Sequence, residues 1–202
     1  MIIGLTGKNA AGKGEVAKYL QKKGFLYYSL SDVIRDEATK RRLEHSRENL
    51  IKLGNELREN FGADYLAKQI NKKILEYEKD SPQRNFFVID SIRNPYEVKE
   101  LRKNKNFVLI GVDAPIELRF ERLVKRNRLG DAKTLEEFRQ QEQRENLEND
   151  TYQQLDAVFK LADKVIINNG SLSELHNKTG ALLKELKRKE LKRAGRNYTS
   201  KN

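Results

Sequence analysis

Residues 2–13 read Ile2-Ile3-Gly4-Leu5-Thr6-Gly7-Lys8-Asn9-Ala10-Ala11-Gly12-Lys13, an apolar run of strand length that opens directly into the spacing Gly-x-x-x-x-Gly-Lys. A helical pattern starts near Lys13, with Val16 and Leu20 four residues apart on one face. Strand, glycine-bounded loop and helix in that order make a place for phosphate. The glycines let the backbone wrap closely around an anion, and the loop amides and helix N-terminus direct positive potential at its oxygens. Lys13 adds a point charge over the β and γ phosphates. The expected ligand is a nucleoside triphosphate, held by Gly7, Asn9, Ala10, Ala11, Gly12, Lys13 and Gly14.

The position after the lysine ordinarily carries Ser or Thr for Mg²⁺, and here it is Gly14, followed by Glu15. Without that hydroxyl, Mg²⁺ is expected to be held mainly by phosphates and waters. Glu15 aimed at the phosphates across ~7 Å would repel them by about 2 kcal/mol at an effective dielectric near 20. Two residues past Lys13 it is expected to face elsewhere, and a carboxylate suits the first turn of a helix.

Outward from this stretch, short apolar runs recur at Phe25 to Tyr28, Phe86 to Ile89, Phe107 to Val112 and Val165 to Ile167. With Ile2 to Leu5 they make five expected strands. Leu50 with Leu53 and Leu57, Leu66 with Ile70 and Ile74, and Leu182 with Leu186 mark helices between or after them. Strands separated by helices require parallel crossovers, so the expected class is α/β: one mostly parallel five-stranded sheet covered on both faces, with ligands outside the carboxyl ends of its strands. The interval from Tyr28 to Phe86 exceeds one crossover and is expected to hold a helical lobe over 31–80. Asn127, Gly130 and Asp131 mark a short lid over 127–134. Pro82, Pro95 and Pro115 fall where loops or helix starts are expected.

Composition narrows the chemistry. The 202 residues hold 41 Lys and Arg against 30 Asp and Glu, a net charge of +11, which favours anionic partners. No cysteine and only His45 and His176 exclude a disulfide framework, a thiol nucleophile and a cysteine-rich zinc site. The apolar runs are strand-sized and the first residues lack a signal-peptide pattern, so a cytoplasmic protein without a membrane partner is expected. Residues 184–202 carry eight Lys or Arg and two Glu, +6 of the +11. This stretch reads as a solvated helix end fraying into a basic tail, with Leu182, Leu186 and Leu191 spaced to dock one face. Attachment of nucleic acid through it is the lesser alternative.

Phe87-Val88-Ile89-Asp90 is an apolar strand ending in an acid, which places Asp90 at the sheet edge beside Mg²⁺ and its waters. Arg93 leaves the same edge three residues on, where it is placed to grip an acceptor phosphate. After Asp113-Ala114-Pro115, Ile116, Phe120, Leu123 and Val124 make a buried helical stripe, and Arg119, Arg122 and Arg126 a separate cationic one. Clustered guanidiniums repel one another unless an anion sits among them. With Arg128 they read as clamps on a transferring phosphoryl group, against the plainer alternative of a solvated face.

Taken together, Gly7 to Gly14, Ser29-Leu30-Ser31-Asp32-Val33-Ile34-Arg35, Asp90-Ser91-Ile92-Arg93 and the arginine helix resemble P-loop kinases of the nucleoside monophosphate kinase and dephospho-CoA kinase group. Within it, Ser46-Arg47-Glu48-Asn49-Leu50, Leu53 to Arg58, Asp90 to Pro95 and Asn168-Asn169-Gly170-Ser171 resemble the kinase-like domain fused in some proteins to a deoxycytidylate deaminase. The absence of cysteine excludes zinc deaminase chemistry from this chain. The resemblance implies ATP and Mg²⁺, with Lys13 on the donor phosphates, Asp90 near the metal, and Arg122 and Arg126 at the lid side. It also implies Arg35 and Arg93 on the acceptor phosphate, Ser31 and Asp32 at the acceptor-side helix, and Asn169 and Gly170 near the donor base, with Arg119 among the ATP contacts.

The implied function is transfer of the γ-phosphoryl group of ATP to a small phosphorylated acceptor, a nucleoside or deoxynucleoside monophosphate, so the expected partners are small-molecule nucleotides. A nucleotide-sensing module or slow ATPase, suggested by Glu15, is one alternative. Phosphorylation of a hydroxyl, as in dephospho-CoA, with Asp32 as base, is another.

Overall fold

The structure is a computed structural model that describes residues 1–81, 85–127, 130–145 and 153–199, the side chains of 144–145 and 193–199 excepted. All five expected strands form: β1 (Ile2–Thr6), β2 (Leu26–Ser29), β3 (Phe87–Asp90), β4 (Phe107–Asp113) and β5 (Lys164–Ile167). They build one sheet in the order β2-β3-β1-β4-β5, and every neighbouring pair is parallel.

Successive strand residues face opposite sides of a sheet, so two dry layers follow from the sequence. Ile2, Phe87, Ile89 and Leu109 face one layer with residues of α2 (Leu30–Lys40), α3 (Arg47–Phe61), α4 (Tyr65–Asp80), α5 (Pro95–Leu101) and α8 (Leu155–Lys160). Ile3, Leu5, Val88, Ile110 and Val112 face the other, against α1 (Lys13–Lys22) and α9 (Leu172–Thr199). Each fully buried Leu or Ile contributes about 1.5–3 kcal/mol. Helices α2, α3 and α4 fill the long interval before β3, and Leu53, Leu57, Leu66, Ile70 and Ile74 join the same buried cluster as Phe87 and Ile89. The lobe is therefore continuous with one layer of the core.

The chain leaves β1 toward β2 on one side and later returns from β3 across β1 to β4 on the other, so the strand order reverses around β1. Open α/β sheets leave a crevice at such a reversal, outside the carboxyl ends. The glycine loop leaves β1 at that place.

Capping residues fix how helices depart from the same rim. Ser29 ends β2 and accepts the Ser31 amide (3.2 Å) at the start of α2. Asn94 and Glu97 form a capping box at α5, with Pro95 in its first turn. Helix α6 (Ile116–Arg126) leaves β4 through Pro115, and α7 (Leu135–Glu145) packs on it through Leu123, Ala132 and Phe138.

Two expectations change. Val124 is 51% exposed, because Leu123 alone takes the centre of the α6 contact with α7. Leu191 is 60% exposed, since α9 has by then passed the layer that buries Leu183 and Leu186. The basic stretch from Lys184 is the end of α9, which runs as helix to Thr199. Pro82 and Arg128 lie outside the described residues. Among the described residues, no helix is long and apolar enough to cross a membrane.

Candidate functional site

The glycine loop has the backbone its spacing implies. Gly7 has φ +139°, and a Cβ there would lie 2.1 Å from the Val112 carbonyl oxygen of the adjoining strand. Gly12 has φ +108°, and its Cβ would lie 2.3 Å from Asn168 Nδ2. Neither position admits a side chain. Ala10 between them is also left-handed, at φ 58°, and alternating handedness of this kind turns successive amides to one side as an anion nest.

Lys13 closes the loop on itself. Its Nζ donates to the carbonyls of Gly7 (2.6 Å) and Lys8 (2.9 Å). Burial pushes the ammonium down to about 8; Asp90 opposes this, while Arg93, Arg119 and Arg126 add to it. A cation held so weakly by neutral carbonyls, among other cations, is matched to polyphosphate. Asn168 pins the other end of the loop: it is 6% exposed, and its Nδ2 donates to the Ala11 carbonyl (2.9 Å). The next residues, Asn169 and Gly170, lie in the exposed turn between β5 and α9, where Asn169 Oδ1 accepts Lys178 Nζ (3.1 Å).

Across the rim, Asp90 ends β3, its Oδ1 accepting the Ser91 amide (2.6 Å) and its Oδ2 the Tyr27 hydroxyl (3.5 Å). Ser91 has φ 65°, a strained conformation at the edge of the crevice. Among the described residues no group of three or more His, Asp or Glu gathers to hold a metal by itself. A lone carboxylate electrostatically linked to the phosphate lysine fits Mg²⁺ shared with nucleotide phosphates.

Beside the loop opens a cavity of about 300 Å³. It brings together Gly7, Asn9 and Lys13 with Ser31, Arg35, Arg93 and Arg126, from four separate places in the sequence. Arg93 Nη1 donates to Gln153 Oε1 (2.9 Å). Asp32 does not line the cavity; it bonds Arg35 Nη1 at 2.7 Å, with both side chains 47% exposed.

The arginine stripe of α6 is divided by partners that the spacing does not reveal. Arg126, the member lining the cavity, is bidentate to Asp131 (2.8 and 2.7 Å). Arg122 turns to the β5–α9 turn, its Nη2 donating to the Asn168 carbonyl (2.9 Å). Arg119 is buried, donating to the Ala114 and Asn9 carbonyls and pairing with Glu142 of α7. The anions among these guanidiniums are the chain's own carboxylates. Arg122 therefore braces the loop through Asn168 instead of lining the cavity, and Arg119 supports it through Asn9.

Glu15 faces away, as its position implies: it pairs with Lys18 (2.8 Å) on the exposed face of α1. Gly14 is exposed, and a Cβ there would meet nothing within 4 Å. Gly14→Thr is therefore expected to fold with stability raised by a few tenths of a kcal/mol, because Thr exceeds Gly in helix propensity. It should also lower several-fold the Mg²⁺ concentration needed for half-maximal nucleotide turnover, since it restores the usual hydroxyl ligand. An unchanged Mg²⁺ titration would show that the metal lies away from this turn.

Other site residues escaped the sequence reading. Arg58 and Glu97 form a buried pair whose side chains are 2% and 0% exposed. Arg58 lies next to Leu57 on the apolar stripe of α3, and Glu97 is the third residue of the Asn94 capping box, which is the readable signal. His45 and Arg47 also line the cavity.

Residues 3–156 match the AAA domain family. A UPF0200 protein of Thermococcus kodakarensis is 33% identical over 189 residues, covering 92% of this chain and 98% of that protein. A UPF0200/UPF0201 protein of Archaeoglobus fulgidus is 34% identical over 187 residues; the match covers 92% of this chain and only 55% of that relative, so the chain spans about half its length. Among solved structures, dephospho-CoA kinase from Campylobacter jejuni superposes with a TM-score of 0.54 at 18% identity, covering 94% of this chain and 98% of that one. That likeness is one of fold, and the fold is that of P-loop kinases.

Proposed function

We propose a nucleotide-dependent phosphotransferase function for this chain, which belongs to the UPF0200 family and to the AAA domain family. The donor is ATP, and the acceptor is a small phosphorylated compound, a nucleoside or deoxynucleoside monophosphate. The observation that carries this reading is the cavity, which joins the Lys13 loop to Arg93, Arg35 and Arg126 in one concave space. A nucleotide sensor needs only the loop. A second cationic pocket open to the same lysine calls for a second anion.

In this reading the loop amides and Lys13 hold the donor phosphates, and Arg93 and Arg35 hold the acceptor phosphate. An acceptor oxygen forms the new P–O bond to the γ phosphorus as the β–γ bridging bond breaks, and ADP leaves with that electron pair. An acceptor phosphate is already anionic, so the chain supplies position and charge in place of a base. Mg²⁺, when bound near Asp90, supplies further charge neutralisation on the phosphate oxygens. Arg126 reaches the transferring group by exchanging Asp131 for phosphate oxygens.

The resemblance of Ser46 to Leu50 and Asp90 to Pro95 to the domain fused to deoxycytidylate deaminases supports a nucleotide acceptor. Hydroxyl phosphorylation is less well supported, because Asp32 is turned to Arg35 outside the cavity. The sensing alternative loses its main feature with Glu15 facing solvent.

The test is ADP formation from ATP and Mg²⁺ in the presence of each common ribo- and deoxynucleoside monophosphate and of dephospho-CoA. At least one monophosphate is expected to raise turnover tenfold or more above the acceptor-free rate, and EDTA to stop it, as positioning of both substrates is the main source of rate. Normal binding of a non-hydrolysable ATP analogue with no transfer to any acceptor would instead establish the sensing module.

A further inference from the structure

Arg58 reaches the cavity from α3 with its side chain 2% exposed. Two of its three guanidinium nitrogens are committed, Nε and Nη2 both donating to Glu97 Oε1 at 3.0 and 2.8 Å. Glu97 is itself fixed, because its Oε2 accepts the amides of Arg93 (2.8 Å) and Asn94 (3.0 Å). The guanidinium plane is thus set by the same residue that sets the Arg93 backbone.

The third nitrogen, Nη1, is buried with no hydrogen-bond partner among the described residues. Buried donors are almost always paired, so an orphan on a cavity-lining side chain points to a ligand. One turn before Arg58 on the same helix, Gly54 leaves the space beside it unfilled: a Cβ there would sit 3.5 Å from Nη1 and 2.9 Å from the Cδ1 of Ile34, another cavity residue. Glu97 already balances the charge, so what remains is a directed N–H suited to a neutral acceptor atom. Leu30, Ile34, Leu50 and Leu66 supply apolar cavity walls. A group that offers flat apolar faces and a hydrogen-bond-accepting edge fits both features, and that is a heteroaromatic ring.

We propose that Arg58 Nη1 donates to a carbonyl oxygen or ring nitrogen on the base of the acceptor, so that a nucleoside monophosphate is read at its base end by Arg58 and at its phosphate by Arg93. This rests on the phosphotransferase reading and adds the residue that selects the acceptor. Removing one buried donor from such a site discriminates strongly against ligands that need it, and leaves ligands without the matching group unaffected.

The experiment measures binding of AMP, GMP, CMP, UMP and ribose 5-phosphate to the full chain by calorimetry, with a non-hydrolysable ATP analogue present. The parent is expected to bind at least one of the four nucleotides about thirtyfold or more tighter than ribose 5-phosphate, which has the phosphate and no base. Arg58→Lys keeps a cation against Glu97 and removes the third planar donor, so it should cut that preference about tenfold while ribose 5-phosphate affinity stays within about twofold. Arg58→Met with Glu97→Gln removes the charges together and keeps an oxygen for the Arg93 and Asn94 amides. It should give the same loss of preference, and serves if the single variant does not fold.

Preference retained in both variants, or equal loss for nucleotides and ribose 5-phosphate, overturns the Arg58 proposal. A parent that binds ribose 5-phosphate as tightly as every nucleotide also overturns it, while leaving the phosphotransferase reading in place. A parent that binds none of these phosphates, and none of the corresponding deoxynucleoside monophosphates, removes both.

Discussion

Lys13→Met is expected to weaken nucleotide binding about a hundredfold or more while leaving the nucleotide-free protein at least as stable as the parent. In the free protein the Lys13 ammonium bonds, among the described residues, only the Gly7 and Lys8 carbonyls, and burial first, then Arg93, Arg119 and Arg126, push it down to about 8 against the pull of Asp90. An unfolded chain holds that proton up to about 10.4. The folded state therefore binds the proton less tightly than the unfolded one. Folding carries the full penalty below pH 8 and loses it progressively as pH rises toward the unfolded value. Methionine keeps the aliphatic contact and removes the penalty. Because the lysine retains some contact with solvent, the expected gain at pH 7 is about 1–2 kcal/mol, less than the whole shift converts to. A thermal melt between pH 7 and 10 checks the sign: the gap between parent and variant should narrow as pH rises.

Nucleotide binding should move the other way. A triphosphate supplies the anionic partner that the free loop lacks, so loss of the Lys13 ammonium is expected to weaken its binding about a hundredfold or more. For the parent, affinity should fall about tenfold from pH 7 to pH 9, because at the higher pH the empty site must first take up a proton. Calorimetry with a non-hydrolysable ATP analogue reads both effects. A Lys13→Met protein that still melts higher with the analogue would place the phosphates away from the loop.

How much of this site is readable from residues alone depends on whether partners are local. The five strands are readable because each is a short β-branched or aromatic run, and the loop because two glycines and a lysine at fixed spacing leave few other conformations. Asp90 and Arg93 follow from where β3 ends. The roles within α6 do not follow, since spacing gives the face a residue shares and not the group that meets it. Arg126 finds Asp131 five residues away, Arg119 finds Glu142 at 23, and Arg122 finds Asn168 at 46. Asp32 stands in the first turn of α2, as the resemblance implies, but off the cavity wall, because Arg35, three residues on, offers it a partner within its own helix. Arg58 was hidden because an arginine beside Leu57 reads as the edge of an apolar stripe until Glu97, 39 residues on, is seen to neutralise it.

Arg93→Ala is expected to lower kcat/KM for the preferred acceptor by two to three orders of magnitude while leaving affinity for the ATP analogue within about threefold, the size of loss that follows removal of one charge-stabilising donor from a phosphoryl-transfer site. The fold should tolerate it. The main-chain ties of this residue, its amide to Glu97 (2.8 Å) and its carbonyl to the Gln154 amide (2.8 Å), survive truncation, which removes the guanidinium and with it the bond to Gln153. A second readout separates a role at the acceptor from simple loosening of the rim. Arg93 is one of the positive neighbours that press Lys13 down, so its removal must let the Lys13 ammonium rise. The alkaline fall in analogue binding should then shift to higher pH in the variant, even as transfer collapses at every pH. Loosening would weaken analogue binding and transfer together at every pH. If the profile shifts and transfer is unimpaired, Arg93 shares the field of the phosphate loop without touching the acceptor, and the acceptor phosphate must be assigned to Arg35 and Arg126 instead.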